Sequence, residues 1–180
     1  MIKKLILSGM IILFTFTGCE SNGRVHDKNY LRAVSISGDT EKTVTFTFFN
    51  KDGKYITTSG KDINEAKEIA EIHTGKKIFT GYTEMIVLDG QNSMETLEFM
   101  LHKWKVSPSC IITHSGDENG EDIFSSSIEK LSGSVRQSVK QGKIPECDII
   151  TVMSKLLDEN HTARVAEITA DGVTGINIIN

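Results

Sequence analysis

The first eighteen residues constrain the fold of this chain most, because their pattern is typical of a targeting segment and not of a globular domain. Lys3 and Lys4 form a short positive region, and residues 5–16 are mostly apolar. An apolar core of about 12 residues is short for a membrane-spanning helix, which needs roughly 20. We therefore predict a secretory signal sequence over residues 1–18, after which the folded part of the chain begins.

The signal sequence ends in Phe16-Thr17-Gly18-Cys19. A small residue directly before a cysteine in an apolar context resembles the bacterial lipobox, at which the lipoprotein signal peptidase cleaves. The Cys19 thiol can carry a thioether-linked diacylglycerol, and two acyl chains anchor a protein stably where one does not. We predict that Cys19 is the lipid attachment site of a protein held on the extracytoplasmic face of a membrane. The alternative is a secreted protein with an ordinary cleavage site nearby.

The composition of the remaining 162 residues excludes several classes of protein. In this part of the chain 18 Lys and Arg stand against 24 Asp and Glu, a net charge of −6. That charge disfavours binding to nucleic acid and gives no general attraction to an anionic membrane, so the lipid must provide the anchor. Hydrophobic residues at 38% and charged residues at 24% of the chain disfavour both disorder and a multi-span membrane protein. Three cysteines are too few for a disulfide-dense scaffold.

The mature chain is predicted to consist of a lipidated polar tether, residues 19–29, and one folded domain, residues 30–180. Val, Ile, Thr and Phe concentrate in segments that we predict as strands: 31–37, 43–49, 54–59, 84–88, 110–112, 162–169 and 173–179. Apolar residues recur at helical spacing in segments that we predict as helices: 62–75, 92–104, 124–139 and 149–156. This order of elements predicts an α+β fold, a single layer-type domain in which helices pack on a mixed sheet.

Two of the predicted helices begin with the spacing of a capping box, an acceptor side chain followed three residues later by glutamate. The pairs are Asp62 with Glu65 and Asn92 with Glu95. On the first of these helices His73 falls on the same side as the apolar residues. We therefore expect both acceptors to cap their helices and His73 to face the core.

The motifs of catalysis and metal binding are almost absent. Ser127 and Lys130 match the S-x-x-K of penicillin-recognising enzymes, but the other elements are missing or in the wrong order, and both residues fit a helix surface. The histidines show no paired ligand spacing: His26, His73, His102, His114 and His161. The acidic run 117–122 lacks the ligand spacing of a calcium loop and is predicted to be a solvated turn. We predict no catalytic residue, no metal site and no cofactor.

Cys110 and Cys147 would lie outside the cytoplasm, where disulfides form and persist. They could pair if the strand and the loop that carry them meet. A buried free thiol is equally compatible with the apolar surroundings of Cys110. The sequence leaves both states of this pair open.

A stretch from Lys61 to Thr113 resembles a known family. It contains Asp62-Ile63-Asn64-Glu65-Ala66, then Gly75-Lys76-Lys77-Ile78-Phe79-Thr80-Gly81-Tyr82, then Met85-Ile86-Val87-Leu88. This succession follows a lipobox and a strand pair, and it resembles the amino-terminal domain of the Ger(x)C lipoproteins, the C subunits of spore germinant receptors. Glu20-Ser21 stands where that family usually has Trp-Asp, and Tyr82 where it commonly has His. The family's large carboxy-terminal domain has no counterpart after Asn180, so we expect either a short relative of the family or a truncated product.

The resemblance implies a non-enzymatic, lipid-anchored subunit on the outer face of the inner membrane of a spore. Its implied partners are the membrane-spanning A- and B-type receptor subunits, with which it would act in nutrient-triggered germination. Cys19 is the one functional residue that carries over from the family pattern. We expect no enzyme activity.

Two other functions remain as alternatives to a receptor subunit. The first is an extracytoplasmic lipoprotein that binds a small ligand in an apolar pocket with a few converging polar groups. The second is a small enzyme acting on cell-wall material, which would require a cleft where groups such as His114, Asp117 and Glu118 converge.

Overall fold

The computed structural model describes residues 27–49, 54–89 and 92–180. The predicted signal sequence, the predicted lipid attachment site Cys19 and most of the predicted tether lie outside these residues. The first strand begins at Lys28, so the last two residues of the predicted tether belong to the sheet. No helix in the described part of the chain is long and apolar enough to cross a membrane.

The described residues form an α+β fold, as predicted from the mixed order of elements. The strands are β1 (Lys28–Ser37), β2 (Lys42–Phe48), β3 (Tyr55–Gly60), β4 (Lys77–Phe79), β5 (Met85–Asp89), β6 (Ile111–His114), β7 (Ala163–Thr169) and β8 (Gly172–Ile179). The helices are α1 (Ile63–Thr74), α2 (Ser93–His102), α3 (Gly120–Phe124), α4 (Ile128–Lys140) and α5 (Ile149–Leu156).

These strands form one mixed sheet in the order β3-β2-β1-β5-β6-β7-β8, with β4 paired to β1 beside this path. β1 lies antiparallel to β2 but parallel to β4 and β5. The parallel arrangement continues through β6 to β7, and β8 returns antiparallel as a hairpin. The parallel strands β5 and β6 are joined through α2, so the centre of the sheet has the connection that a parallel pair requires.

A bulge in β1 divides this strand into two halves. Leu31 pairs with Phe48 and Ala33 with Thr47, so one extra residue of β1 lies between two successive partners on β2. Leu31 and Ala33, which would share one face in a regular strand, therefore lie on opposite faces of the sheet, and both are fully buried. Before the bulge, exposure alternates along the strand; after it, the next residues are buried on both faces.

Helices cover both faces of the sheet. Trp104, directly after α2, stacks against Phe46 of β2 with the ring centres 6.2 Å apart. The other face receives α3, because a Cβ added at Gly120 would lie 2.6 Å from the Cβ of Ser35 and 3.0 Å from Oγ1 of Thr45. This close approach explains why the neighbouring threonine and serine side chains of β1 and β2 are buried although they are polar.

The predicted cap of α1 is confirmed. Asp62 Oδ1 accepts hydrogen bonds from the N–H groups of Asn64 and Glu65, at 2.9 and 2.8 Å. Glu65 Oε2 accepts a hydrogen bond from the N–H of Lys61, one residue earlier than the donor in the usual capping box. Gly75 ends the helix with φ of 65°, a left-handed conformation that glycine adopts without strain.

The predicted cap of α2 is wrong. Asn92 has φ of 67° and its side chain makes no capping hydrogen bond. The N–H of Ser93 instead donates to the carbonyl oxygen of Asn180, at 2.8 Å. A tertiary contact with the last residue of the chain therefore satisfies a donor that a local cap would have served.

The predicted helix 124–139 is two helices. Phe124 belongs to α3. Asn119 caps the start of this helix by accepting hydrogen bonds from two backbone N–H groups inside the predicted acidic loop. Ser125 Oγ donates to the carbonyl of Asp122, and Ser126 Oγ donates to that of Ala170, both at 2.6 Å. These serines engage backbone carbonyls with their side chains, which competes with the continuation of the helix.

Candidate functional site

Two of the side chains that an enzymatic cleft would need, His114 and Glu118, accept hydrogen bonds from backbone N–H groups and so hold loops in place. His114 Nδ1 accepts from the N–H of Gly116 at 3.0 Å, and Glu118 Oε2 accepts from the N–H of Ala170 at 2.7 Å. Asp117 is exposed. Among the described residues no group of three His, Cys, Asp or Glu side chains could hold a metal ion. Ser127 and Lys130 are both exposed at the start of α4.

Cys110 and Cys147 are free, buried thiols. The segments that carry them do meet: Ile112 N–H donates to the Cys147 carbonyl at 2.7 Å, and Ile149 N–H donates to the Cys110 carbonyl at 3.0 Å. Burial raises the pKa of Cys147 to about 11. A hydrogen bond with the backbone of Ala166 lowers this pKa, and the negative charge of Asp148 raises it. Burial also raises the pKa of Cys110 strongly. Thiols held in the neutral form are poor nucleophiles.

A buried carboxylate on α1 was missed by the sequence analysis. Glu71 is 8% exposed and receives Lys67 Nζ at 2.8 Å, Lys77 Nζ at 2.6 Å and the N–H of Ile78 at 2.9 Å. His73, which was predicted to face the core, is exposed, and that prediction is wrong. Since β4 follows α1 after a tight turn, its first N–H groups need an acceptor, and Glu71 supplies one.

The largest grooves of the described surface include one at the carboxyl end of β1. It encloses about 420 Å³ and lies between the amino ends of α1 and α2, with these lining residues: Asp39, Lys42, Lys61, Asp62, Ile63, Asn64, Asn92, Glu95, Thr96 and Phe99. Its charges are partly engaged by the chain itself. Asp62 caps α1, and Lys42 Nζ donates to the carbonyl of Gly38 at 2.6 Å.

At the opposite end of β1, three aromatic side chains meet at the surface; we call Tyr30, Phe79 and Tyr82 the aromatic patch. Tyr30 and Phe79 are register partners on β1 and β4, with ring centres 5.5 Å apart. Tyr82 stacks on Tyr30 at 6.0 Å and meets the edge of Phe79 at 5.2 Å. Phe79 is 36% and Tyr82 62% exposed, and Lys28 Nζ lies 5.8 Å from the centre of the Phe79 ring.

The sequence contained part of the signal for this patch. Phe79 and Tyr82 lie three residues apart in a segment rich in lysine and glycine. Tyr30, however, is almost fifty residues earlier, and only the parallel pairing of β1 with β4 brings it to them. That pairing involves three residues of β4, too few for a strand to be recognised from its pattern.

Comparisons with known proteins give no match. No protein-family model matches the chain, no curated protein matches it, and no solved structure matches its fold.

Proposed function

We propose that this protein is a lipid-anchored, non-enzymatic subunit of a spore germinant receptor. It is attached through Cys19 to the outer face of the inner spore membrane, or of the cell membrane, and acts with integral-membrane subunits of the A and B types in nutrient-triggered germination. The observation that carries the proposal is the order of parts along the chain. A lipobox is followed within nine residues by a strand pair, and then by the segment that resembles the Ger(x)C lipoproteins.

The position of that segment in the fold gives the proposal further support. Residues 61–113 form α1, β4, β5, α2 and β6, a continuous run of elements that supplies the centre of the sheet and two of its helices. The residues that resemble the family in this run include the buried strand Met85-Ile86-Val87-Leu88 and the buried Ile63, Ala66 and Ile78, whereas most of residues 75–82 are exposed. Similar residues at buried positions support a shared fold, and the lipobox supports a shared location at a membrane.

The proposal is tested in the sporulating host with tagged wild type, Cys19→Ala and the control Ser21→Ala, which changes the predicted tether but leaves the lipobox intact. Spore membranes are fractionated, and the proteins that co-purify with each variant are identified. We expect wild type and Ser21→Ala to sediment with the membrane together with A- or B-type receptor subunits. Cys19→Ala should be lost from the membrane and recover these partners poorly, because it cannot carry the diacylglycerol.

Two results would argue against a receptor subunit. Wild type in the soluble fraction contradicts the lipid anchor, and an anchored protein without receptor subunits contradicts the partnership. The second result would favour a small-ligand binding module, because the groove at the carboxyl end of β1 has a volume within the range of ligand pockets, about 300–1,000 Å³.

That second candidate has its own test. Small polar solutes are screened for stabilisation of the protein against heat, and any positive is repeated with Glu95→Lys and Glu98→Lys. Glu95 lines the groove, whereas Glu98 is an exposed residue of the same helix outside the lining. A ligand of the groove should lose its effect with Glu95→Lys and keep it with Glu98→Lys. Equal effects of both variants would place the ligand elsewhere.

A further inference from the structure

We propose that the aromatic patch, with the lysines around it, rests on the headgroup region of the phospholipid bilayer and fixes the orientation of the domain. This inference rests on the lipid anchor at Cys19 that is part of the proposed function. It adds a second contact with the membrane, made by the folded domain itself.

The chemistry of the aromatic patch fits a lipid interface. Tyrosine has an apolar ring and a polar hydroxyl, and such side chains favour the boundary between water and hydrocarbon. The three rings form one contiguous surface, and Tyr82, the most exposed, packs against both of the others. Gly81 lets the chain turn closely under this surface, since a Cβ there would lie 3.0 Å from the Phe79 ring.

The length of the chain between anchor and domain restricts which surface can reach the membrane. Cys19 precedes Lys28, the first residue of β1, by nine residues, which span at most about 30 Å when fully extended. Tyr30 follows two residues later. The patch is therefore at the end of β1 that the anchor draws towards the bilayer, while the β1–β2 turn, residues 38–41, lies about 30 Å away at the other end of the strand.

Local charge around the aromatic patch is opposite in sign to that of the mature chain. Lys28 lies over Phe79, whereas Lys77, its register partner on β4, is 81% exposed but pairs with Glu71 at 2.6 Å and so adds little to this charge. Lys103 and Lys105 are exposed on the segment next to Gly81, where the Lys105 carbonyl would lie 3.7 Å from an added Cβ. Lysines at a membrane surface are attracted by anionic headgroups over about a Debye length, so a net negative protein can still present a lipid-binding end.

The nearby acidic side chains are largely neutralised within the fold. Glu71 is held by two lysines, and Glu84 Oε2 lies 3.1 Å from Nε of Arg32. Asp27, just before β1, and Glu68, on α1 near Lys77, are exposed acidic groups at this end. The surplus of positive charge favours a surface of anionic phospholipids. An apolar protein partner without acidic residues would not complement this charge.

The test uses the full lipidated chain, purified in detergent and reconstituted into vesicles of phosphatidylcholine and phosphatidylglycerol. A nitrobenzoxadiazole label is placed at Tyr82→Cys in the patch, at Lys103→Cys beside it, or at the control Thr40→Cys in the β1–β2 turn. Lys103→Cys leaves all three rings intact. The label is specific because Cys19 carries lipid and the other two thiols are buried.

We expect the labels at positions 82 and 103 to shift to shorter emission wavelength on vesicles and to be quenched by lipids spin-labelled near the headgroup. The label at position 40 should do neither. Lys28→Glu should weaken the quenching at position 103 on anionic vesicles, with no change at position 40.

Three results would overturn the inference, and they are distinguishable. If the protein sediments with vesicles but all labels stay in water, the anchor stands and the docking fails. If the chain does not associate with vesicles at all, the anchor fails and the docking with it. If positions 82 and 103 are exposed on pure lipid vesicles but protected in spore membranes, a protein partner covers the patch instead of lipid.

Discussion

Glu71 is buried on α1, where three donors converge on its carboxylate. Burial is the largest single influence and raises the pKa of this carboxyl, but the hydrogen bonds from Lys67, Lys77 and the N–H of Ile78 outweigh it. The pKa in the folded protein is therefore below the ordinary value of 4.5. The folded state binds the proton less tightly than the unfolded chain, so the charged carboxylate stabilises the fold.

The sign of this shift predicts how stability depends on pH. The contribution of Glu71 is complete above its unfolded-state pKa and is lost as the pH falls through the lower folded-state pKa. We expect Glu71→Gln to lower the free energy of unfolding at pH 7 by about 1–3 kcal/mol, because it removes charged hydrogen bonds from a buried site. At pH 3 the difference from wild type should shrink, as measured by urea unfolding at both pH values.

Glu68→Gln is the matched control for this measurement. It lies on the same helix, is exposed, and keeps an oxygen that can accept from Asn64 Nδ2. A change within about 0.5 kcal/mol is expected, as for most surface substitutions. Equal losses from both variants, or a Glu71→Gln effect that grows towards acid pH, would show that the cluster around Glu71 does not act as described.

The two buried thiols give a second prediction at this scale. Burial raises the pKa of Cys147 to about 11 and that of Cys110 still further, so both are protonated at pH 8. A thiol reagent such as dithiobis-nitrobenzoate should leave Cys110 and Cys147 unlabelled in the native protein and modify both after denaturation. Thr40→Cys, in an exposed turn, should react at once as a positive control. Rapid labelling of Cys110 or Cys147 in the native state would contradict this view.

Residues with local roles were predictable, and residues with tertiary roles were not. Asp62 caps the helix that directly follows it, and its position relative to Glu65 was enough to identify it. Glu71 could not be recognised, because its partners on β4 become neighbours only after Gly75 has turned the chain. The predicted lipid site Cys19 depends on a short motif alone, whereas the aromatic patch depends on strand pairing.

At the scale of elements, the packing of α3 on the sheet depends on one glycine. A Cβ at Gly120 would lie 2.6 Å from the Cβ of Ser35 and 2.7 Å from its Oγ, closer than side chains approach in folded proteins. We expect Gly120→Ala to push α3 away from β1 and β2 and to lower the free energy of unfolding by about 1–3 kcal/mol, the usual cost of overpacking. Thermal or urea unfolding of the variant measures the loss.

Gly133 provides the opposite case on the neighbouring helix. It lies inside α4, and a Cβ there would meet nothing within 4 Å. Gly133→Ala should therefore raise the free energy of unfolding by about 0.5–1 kcal/mol, because alanine loses less backbone entropy in a helix. The two substitutions are chemically identical, so changes of the same sign in both would contradict the contact of α3 with the sheet.

The differences between predicted and observed elements have local causes. Hydrophobic spacing runs from Phe124 to Val139 without interruption, but the hydroxyls of Ser125 and Ser126 bind carbonyls and separate α3 from α4. The start of α2 fits a capping box, but Asn180, at the far end of the chain, takes the first N–H. Spacing predicts that an element exists, and hydrogen bonds to distant residues move its ends.

At the scale of the molecule, the α+β class followed from the order of elements, but the order of strands in the sheet did not. β1 pairs with β5 although β2, β3, α1 and β4 lie between them in the chain, a long-range pairing that no local pattern encodes. The eight strands of the described residues share one sheet, and one cluster of buried apolar residues extends from β1 to β8. An element that opened alone would expose apolar residues of this shared cluster to water.

This continuity predicts cooperative unfolding. Trp104, the single tryptophan of the chain, is 5% exposed and packs between Phe46 of β2 and Phe99 of α2, so its fluorescence reports on the core. We expect urea to give the same midpoint by tryptophan fluorescence and by far-ultraviolet circular dichroism. A fluorescence change at clearly lower urea concentration would show that α2 separates from the sheet before the sheet unfolds.

The bulge in β1 acts as a phase shift within a single strand. It lets the half before it place Lys28 and Tyr30 outwards, independently of the half after it, which is buried on both sides. Deleting Arg32 would join Leu31 directly to Ala33 and turn the bulge into a regular ladder, in which Leu31 still lies opposite Phe48 and Ala33 opposite Thr47. A deletion at position 32 therefore keeps both halves of β1 in register with β2 and removes the Arg32 side chain that pairs with Glu84, whereas the loss of a residue within 33–37 would turn the side chains on one side of the deletion to the other face of the sheet.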